Sequence, residues 1–265
     1  MINSLRSELV KLRRPTAIVG YAGAAIGVTT LMTVVSMVNA DNPDARGPGS
    51  AGGLTLEQLA EPGGYLAGFE AASSFLGIIA LALFASAVAA EFSTGTVRAL
   101  LVTDPRRRRL LAGKIAGLTI FLAVALTLAA TVGGLVATLI SGTQNINSDA
   151  WATTDGLVEG TAIWANLIAA TTVWGLFGAL LAMASRSAAL SIAAGVAYFL
   201  IGEHLILQSL WPSTADWLPA GSFAALAEGG TATVSFATAL GLTAAYAAAA
   251  YLLTSLIFER RDITD

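Results

Sequence analysis

The chain has 265 residues, 55% hydrophobic and 12% charged, about half the ~25% charged share of an ordinary soluble domain. Fourteen Lys and Arg against seventeen Asp and Glu leave a formal net charge of -3, without the basic balance of a nucleic-acid-binding protein, so no nucleic-acid partner is expected. Cysteine is absent and His occurs once, which excludes disulfide frameworks, thiolate metal sites, a catalytic Cys and two-His metal motifs.

In chain order, the first element is MINSLRSELVKLRRP. Ile2, Leu5, Leu9 and Leu12 share one helical face, Arg6, Lys11, Arg13 and Arg14 occupy the rest, and Pro15 breaks the pattern. This predicts a cytoplasmic amphipathic helix over 1–15, either lying on the inner leaflet or binding a partner.

A hydrocarbon core of ~30 Å needs about 20 helical residues. Six uncharged or nearly uncharged runs meet that length, at roughly 16–38, 71–90, 115–140, 161–184, 188–210 and 235–258. They do not alternate apolar with polar, as membrane strands of ~9 to 11 residues do. The first run has a basic flank and a cleavage-like Val38-Asn39-Ala40; signal apolar regions stop at ~15 residues, so it reads as a retained span. The expected fold is all-α, a polytopic membrane protein in which residues 1–265 form one transmembrane domain of six helices.

The connections differ. Residues 39–70 are rich in Gly, Pro and Asp and predict a mobile outer segment with one short helix at 54–59. Residues 141–160 predict a second polar outer loop, and Ser185-Arg186-Ser187 a tight antiparallel turn. Trp211-Pro212 and Trp217-Leu218-Pro219 interrupt 203–234, which reads as a short helix or re-entrant hairpin at the outer interface. Thirteen of the fourteen basic residues fall on one side of the spans with six acids, leaving +7; eleven acids and Arg46 leave -10 on the other. Short loops rich in Lys and Arg stay inside, so both termini are expected in the cytoplasm of a bacterial plasma membrane.

Inside the spans the polar residues are nearly all Ser and Thr, such as Thr29, Thr33, Thr127, Thr131, Thr171 and Thr172. Each can bond back to its own helix or line a path. Gly23-x-x-x-Gly27 and Gly113-x-x-x-Gly117 permit close helix packing. Glu203 and His204 are the ionisable residues of an apolar block and mark a candidate outer gate or structural contact near the outer face. No catalytic or metal-binding constellation accompanies them.

The densest information lies in 91–114, EFSTGTVRALLVTDPRRRRLLAGK, which holds six of the fourteen basic residues. Ser93 or Thr94 can cap a short helix, Val97, Leu100 and Leu101 give it an apolar face, and Pro105 ends it. Glu91, then Gly95-Thr96-x-Arg98-x-Leu100-Leu101, Pro105, an Arg run and Gly113-Lys114 resemble the cytoplasmic segment of ABC-2 type permeases, the membrane subunits of ATP-binding cassette exporters. Ser7-Glu8-Leu9-x-Lys11-Leu12 resembles their lead-in helix. The resemblance implies a coupling helix after the second span that seats on an ATPase subunit. Glu91 would stand at the elbow, paired with a base there or on the ATPase, and Gly95 would allow the sharp exit from the span. Val97, Leu100 and Leu101 would be the knobs, with Thr96 and Arg98 beside them. Arg106, Arg107, Arg108 and Arg109 would contact lipid or the ATPase. It also implies two ATPase copies, which bind ATP and Mg, and a second permease copy as a homodimer.

Gly113-Lys114 is followed by Ile115 and no G-x-x-x-x-G-K-[ST] occurs, so this chain is expected to bind no nucleotide or other cofactor and to be a transport subunit without an ATPase site of its own. The rival readings are a secondary transporter, disfavoured by spans without a deep acid, an intramembrane enzyme, and a non-transporting membrane scaffold.

Overall fold

A computed structural model describes residues 15–42, 54–95 and 106–260. The predicted amphipathic helix, but for Pro15, lies outside the described residues. Those residues are all-α, with six helices long and apolar enough to cross a membrane. The spans are α1 (Pro15–Val38), α4 (Ser73–Ser93), α5 (Arg107–Ser141), α6 (Thr154–Ser185), α7 (Ala188–Leu207) and α9 (Phe236–Arg260). Between them lie α2 (Leu56–Ala60), α3 (Ala67–Ala71) and α8 (Pro219–Ala227). The chain is a multi-pass membrane protein.

Two boundaries move substantially from the sequence expectation. α5 starts at Arg107, so the last two turns of the expected cytoplasmic segment belong to the span. α6 starts at Thr154, where the Thr153 hydroxyl accepts from the Gly156 N–H at 3.1 Å and sets the N-terminus seven residues before the apolar run. The connection Ser185-Arg186-Ser187 is the tight turn expected. Arg186 adopts the left-handed conformation, and the Ser187 hydroxyl caps α7 through the Leu190 N–H.

The core is centred on α4 and α6. Their contact is built from glycine facing aromatic in both directions: a Cβ on Gly77 would stand 2.7 Å from the Trp174 ring, and one on Gly175 2.7 Å from Phe84. A Cβ on Gly178 would collide with the Leu81 carbonyl oxygen. Lipid tails are as apolar as leucine, so close packing of this kind, not burial from water, holds membrane helices together. Gly23 and Gly27 face open space instead, and their spacing serves no helix contact within the chain. The span hydroxyls mostly bond back to their own helices, as Thr33, Thr131, Thr171 and Thr172 do at 2.6 to 2.9 Å.

The end of the bundle holding α2, α3 and α8 is termed the acidic end, and the opposite one the basic end. At the acidic end, 54–72 is not the mobile segment that its composition suggests. Thr55 and Gln58 form a reciprocal capping box that starts α2. Leu59 is fully buried with Met37, Ala137, Ile146 and Trp151 in a second apolar cluster, and the Trp151 indole N–H donates to the Leu59 carbonyl at 3.0 Å. Gly and Pro made the segment read as polar loop, while Leu59, Leu66 and Phe69 supply the apolar contacts that fix it.

The segment 203–234 is helical and folded back onto the spans. Pro219 opens α8, where its missing N–H costs nothing. Phe223, Leu226 and Ala227 are buried. Gly229 and Gly230, at φ 73° and 115°, turn the chain toward α9 in a conformation that other residues rarely adopt.

Glu70, on α3, lies beneath this layer. Burial, followed by the nearby carboxylates of Glu228 and Glu159, pushes its pKa from 4.5 to about 7. Between those values the folded chain keeps a proton that the unfolded chain has lost, so stability falls as pH rises through the window and levels off above it. The melting temperature of the solubilised chain is therefore expected to drop between pH 4.5 and 7, and Glu70→Gln to flatten that slope. A wild-type profile that rises over the same range contradicts the assignment.

Candidate functional site

The candidate site is the basic end, where α4 stops and α5 starts. α4 closes with the Ser93 and Thr94 hydroxyls both donating to the Ala90 carbonyl, at 3.0 and 2.7 Å. These hydroxyls therefore finish α4 and do not begin the next helix, as their capping chemistry suggested. Gly95 follows at φ 66°, a left-handed residue that ends the helix sharply. The expected knobs Val97, Leu100 and Leu101, with Thr96 and Arg98, lie outside the described residues.

What is described is the footing of that segment. Lys114 Nζ stands 3.0 Å from Glu91 Oε1, with side-chain exposures of 7% and 17%. Glu91 sits in the last turn of α4 and Lys114 two turns into α5, so the pair spans the stem from which residues 92–113 project. The base expected for Glu91 is thus inside the chain. Lys114 carried no assigned role in the sequence, although it and Glu91 are the innermost charges of two antiparallel neighbours.

The Arg run is the second feature. Arg107 donates through one terminal nitrogen to the carbonyls of Phe258 and Glu259, at 2.9 and 3.0 Å, and its guanidinium lies 6.0 Å from the Phe258 ring centroid. Those are terminal carbonyls of α9, without acceptors farther along the helix, and a cation there also suits the helix dipole. Arg108 forms a two-point ion pair with Glu259, its second contact at 3.0 Å. Arg106, Arg108 and Arg109 are exposed. The sequence points the whole run at lipid or an ATPase; that two of its members are held by α9 depends on a packing that no local pattern encodes.

The third feature lies at the opposite end. Glu203 falls in the wider, π-helical part of α7, Ala197–Leu207, and is 1% exposed. Its Oε1 accepts from the Gly221 N–H at 3.0 Å, so it serves the first turn of α8 as a capping acceptor from another helix. The candidate gate is a buried tie between α7 and α8 and not a charge at the lipid interface; the His204 side chain is outside the described residues. Among the described residues no cluster of three or more His, Cys, Asp or Glu is placed to hold a metal ion.

The chain belongs to a family described as a protein of unknown function (DUF2705), whose sequence profile matches residues 61–264. No curated protein matches the chain. The matched region contains the Glu91–Lys114 stem, the Arg run and Glu203, and leaves out α1 and α2.

The ion pair makes a double-substitution test. Lys114→Met removes the cation beside a mostly buried carboxylate and is expected to cost about 3 kcal/mol, the low end for breaking a buried pair. The double variant Glu91→Gln with Lys114→Met removes both charges and is expected to recover most of that loss in a detergent unfolding assay. Equal loss in single and double variants would show that the two charges act separately.

Proposed function

We propose that the chain is the permease subunit of an ATP-driven exporter in a bacterial plasma membrane, with both termini in the cytoplasm. It works as a homodimer with two copies of a separate ATPase, which bind ATP and Mg. The observation that carries the reading is the Glu91–Lys114 stem. A segment that only joins two spans needs no buried ion pair at its root, because desolvating both charges is costly. A segment pushed by a partner does need a fixed root, since a force on 96–105 is otherwise absorbed by local flexing. The resemblance of 91–114 to the coupling segment of ABC-2 type permeases supplies the identity of the partner, and the missing phosphate-binding loop makes that partner a different chain.

In this mechanism ATP-driven closure of the ATPases moves the apolar face of Val97, Leu100 and Leu101. The stem passes the displacement to α4 and α5, and the glycine-aromatic contact passes it from α4 to α6. Replacing Leu100 and Leu101 together by Asp is expected to reduce co-purification of the ATPase encoded beside this chain by tenfold or more, with the melting temperature of the membrane subunit unchanged. Undiminished association and turnover would overturn the proposal.

Orientation is tested separately, and the natural absence of cysteine makes single substitutions informative. Ser50→Cys and Ser148→Cys are expected to react with an impermeant thiol reagent applied to sealed cells, and Ser187→Cys only after lysis. Labelling of Ser187→Cys in sealed cells would reverse the orientation.

A further inference from the structure

The basic end has a charge arrangement that the exporter reading does not use. Arg106, Arg107, Arg108 and Arg109 line one cleft together with Glu259. Among the described residues of that lining, four guanidiniums face one carboxylate, an excess of three positive charges. That excess stands at the positive end of the 35-residue α5, which has no acid in its first turn and no side-chain cap at Arg106. Cations are disfavoured at a helix N-terminus, so the arrangement is costly until an anion shares the cleft.

The cleft is also prepared for one. Arg107 and Arg108 are held by the end of α9 through four hydrogen bonds, and groups fixed in advance lose less freedom on binding. Guanidinium forks match phosphate oxygens at two points, which ammonium groups cannot do.

Depth selects the carrier of the phosphate. Exposed apolar residues on α9 run from Phe236 to Leu256, a length of about 30 Å at ~1.5 Å per residue, equal to a hydrocarbon core. Glu259 follows Leu256 by one helical turn, at headgroup level, and Leu252, Leu256 and Glu259 share one surface by their i, i+4 and i+3 spacing. A phosphate in this cleft therefore has an apolar track directly beneath it.

We propose that the cleft binds the phosphate of an anionic phospholipid headgroup, whose acyl chain lies along Leu252 and Leu256. The lipid bridges α5 and α9 and neutralises the Arg run. This holds whether or not the chain couples to an ATPase.

The test is native mass spectrometry of the full solubilised chain with phosphatidylglycerol or phosphatidylcholine. The wild type is expected to retain phosphatidylglycerol at least tenfold more strongly. Arg106→Gln with Arg109→Gln leaves the arginines that hold α9 in place and is expected to weaken retention about 30-fold, at about fivefold per arginine. If the double variant does not fold, Arg109→Gln alone is read, with a fivefold loss expected. Arg186→Gln, at the same end but outside the cleft, is expected to change nothing. Equal retention of the two lipids overturns the proposal, as does an equal effect of Arg186→Gln, which would mean diffuse attraction. Displacement of the lipid by inorganic phosphate would identify a free-anion pocket instead. Lipid binding that survives the double variant while a co-purifying ATPase is lost would identify a protein-docking face.

Discussion

The arrangement of the basic end depends on one buried ion pair, Glu91 with Lys114. Two apolar helices in lipid can slide past each other at little cost, because every position along them offers similar contacts. A carboxylate and an ammonium that are both largely removed from water fix the axial register, since a slip of one turn leaves two charges without partners. The net stabilisation from such a pair is small, but the penalty for breaking it is large. Its value to the fold is therefore in selecting one alignment of α4 against α5. That alignment determines where the segment between them leaves the bundle and where Arg107 and Arg108 meet α9.

The glycine-aromatic contact of α4 with α6 completes the frame that the ion pair begins. Gly77 admits Trp174 and Gly175 admits Phe84, so each helix supplies both the recess and the ring that fills it. Trp174 in turn lies 3.9 Å from Phe199 on α7, centroid to centroid, and 6.3 Å from Phe223 on α8. The side chains thus run without interruption from the pair Glu91–Lys114, through α4 and α6, to the helix that Glu203 holds at the other end. Dense packing transmits displacement because it has few voids to absorb it. This continuity gives the proposed coupling a physical route across the membrane.

The six spans were legible because the bilayer imposes a length, and an uncharged run of ~20 residues fits little besides a membrane-crossing helix. The turn at Ser185-Arg186-Ser187 was legible for the same reason: two spans left only three residues between them. The acidic end misled because Gly and Pro between residues 43 and 64 read as loop, whereas Leu59, Leu66 and Trp151 become core only when α1, α5 and α6 bring them together. α6 began early because Thr153 caps it, and a polar first turn is invisible to a search for apolar runs. Of the site, Glu91 and the need for a basic partner were readable from the motif. That Lys114 is the partner, and that Arg107 reaches α9 more than 150 residues away in sequence, follow from tertiary register alone.

The two ends are held by different chemistry, and the difference bears on which can move. The basic end is joined by ion pairs and by arginine on helix-end carbonyls, contacts between long side chains that can rotate and re-form as helices shift. At the acidic end the ties include rigid rings and short groups bonded to backbone: Trp151 to Leu59, Tyr246 to the Trp217 carbonyl at 2.8 Å, and Glu203 from the Gly221 N–H. Such bonds cannot follow a displacement and must break. Glu203 is the least favourable of them, because its Oε2 is buried without a hydrogen bond of normal geometry, beside the Tyr198 hydroxyl of the same π-helical turn. An unsatisfied buried acceptor costs about 1 to 3 kcal/mol, so the tie between α7 and α8 carries a standing penalty that its neighbours do not. A displacement arriving through Trp174 and Phe223 meets that tie as the contact with least to lose, and α8 is the element of the acidic end that it would release.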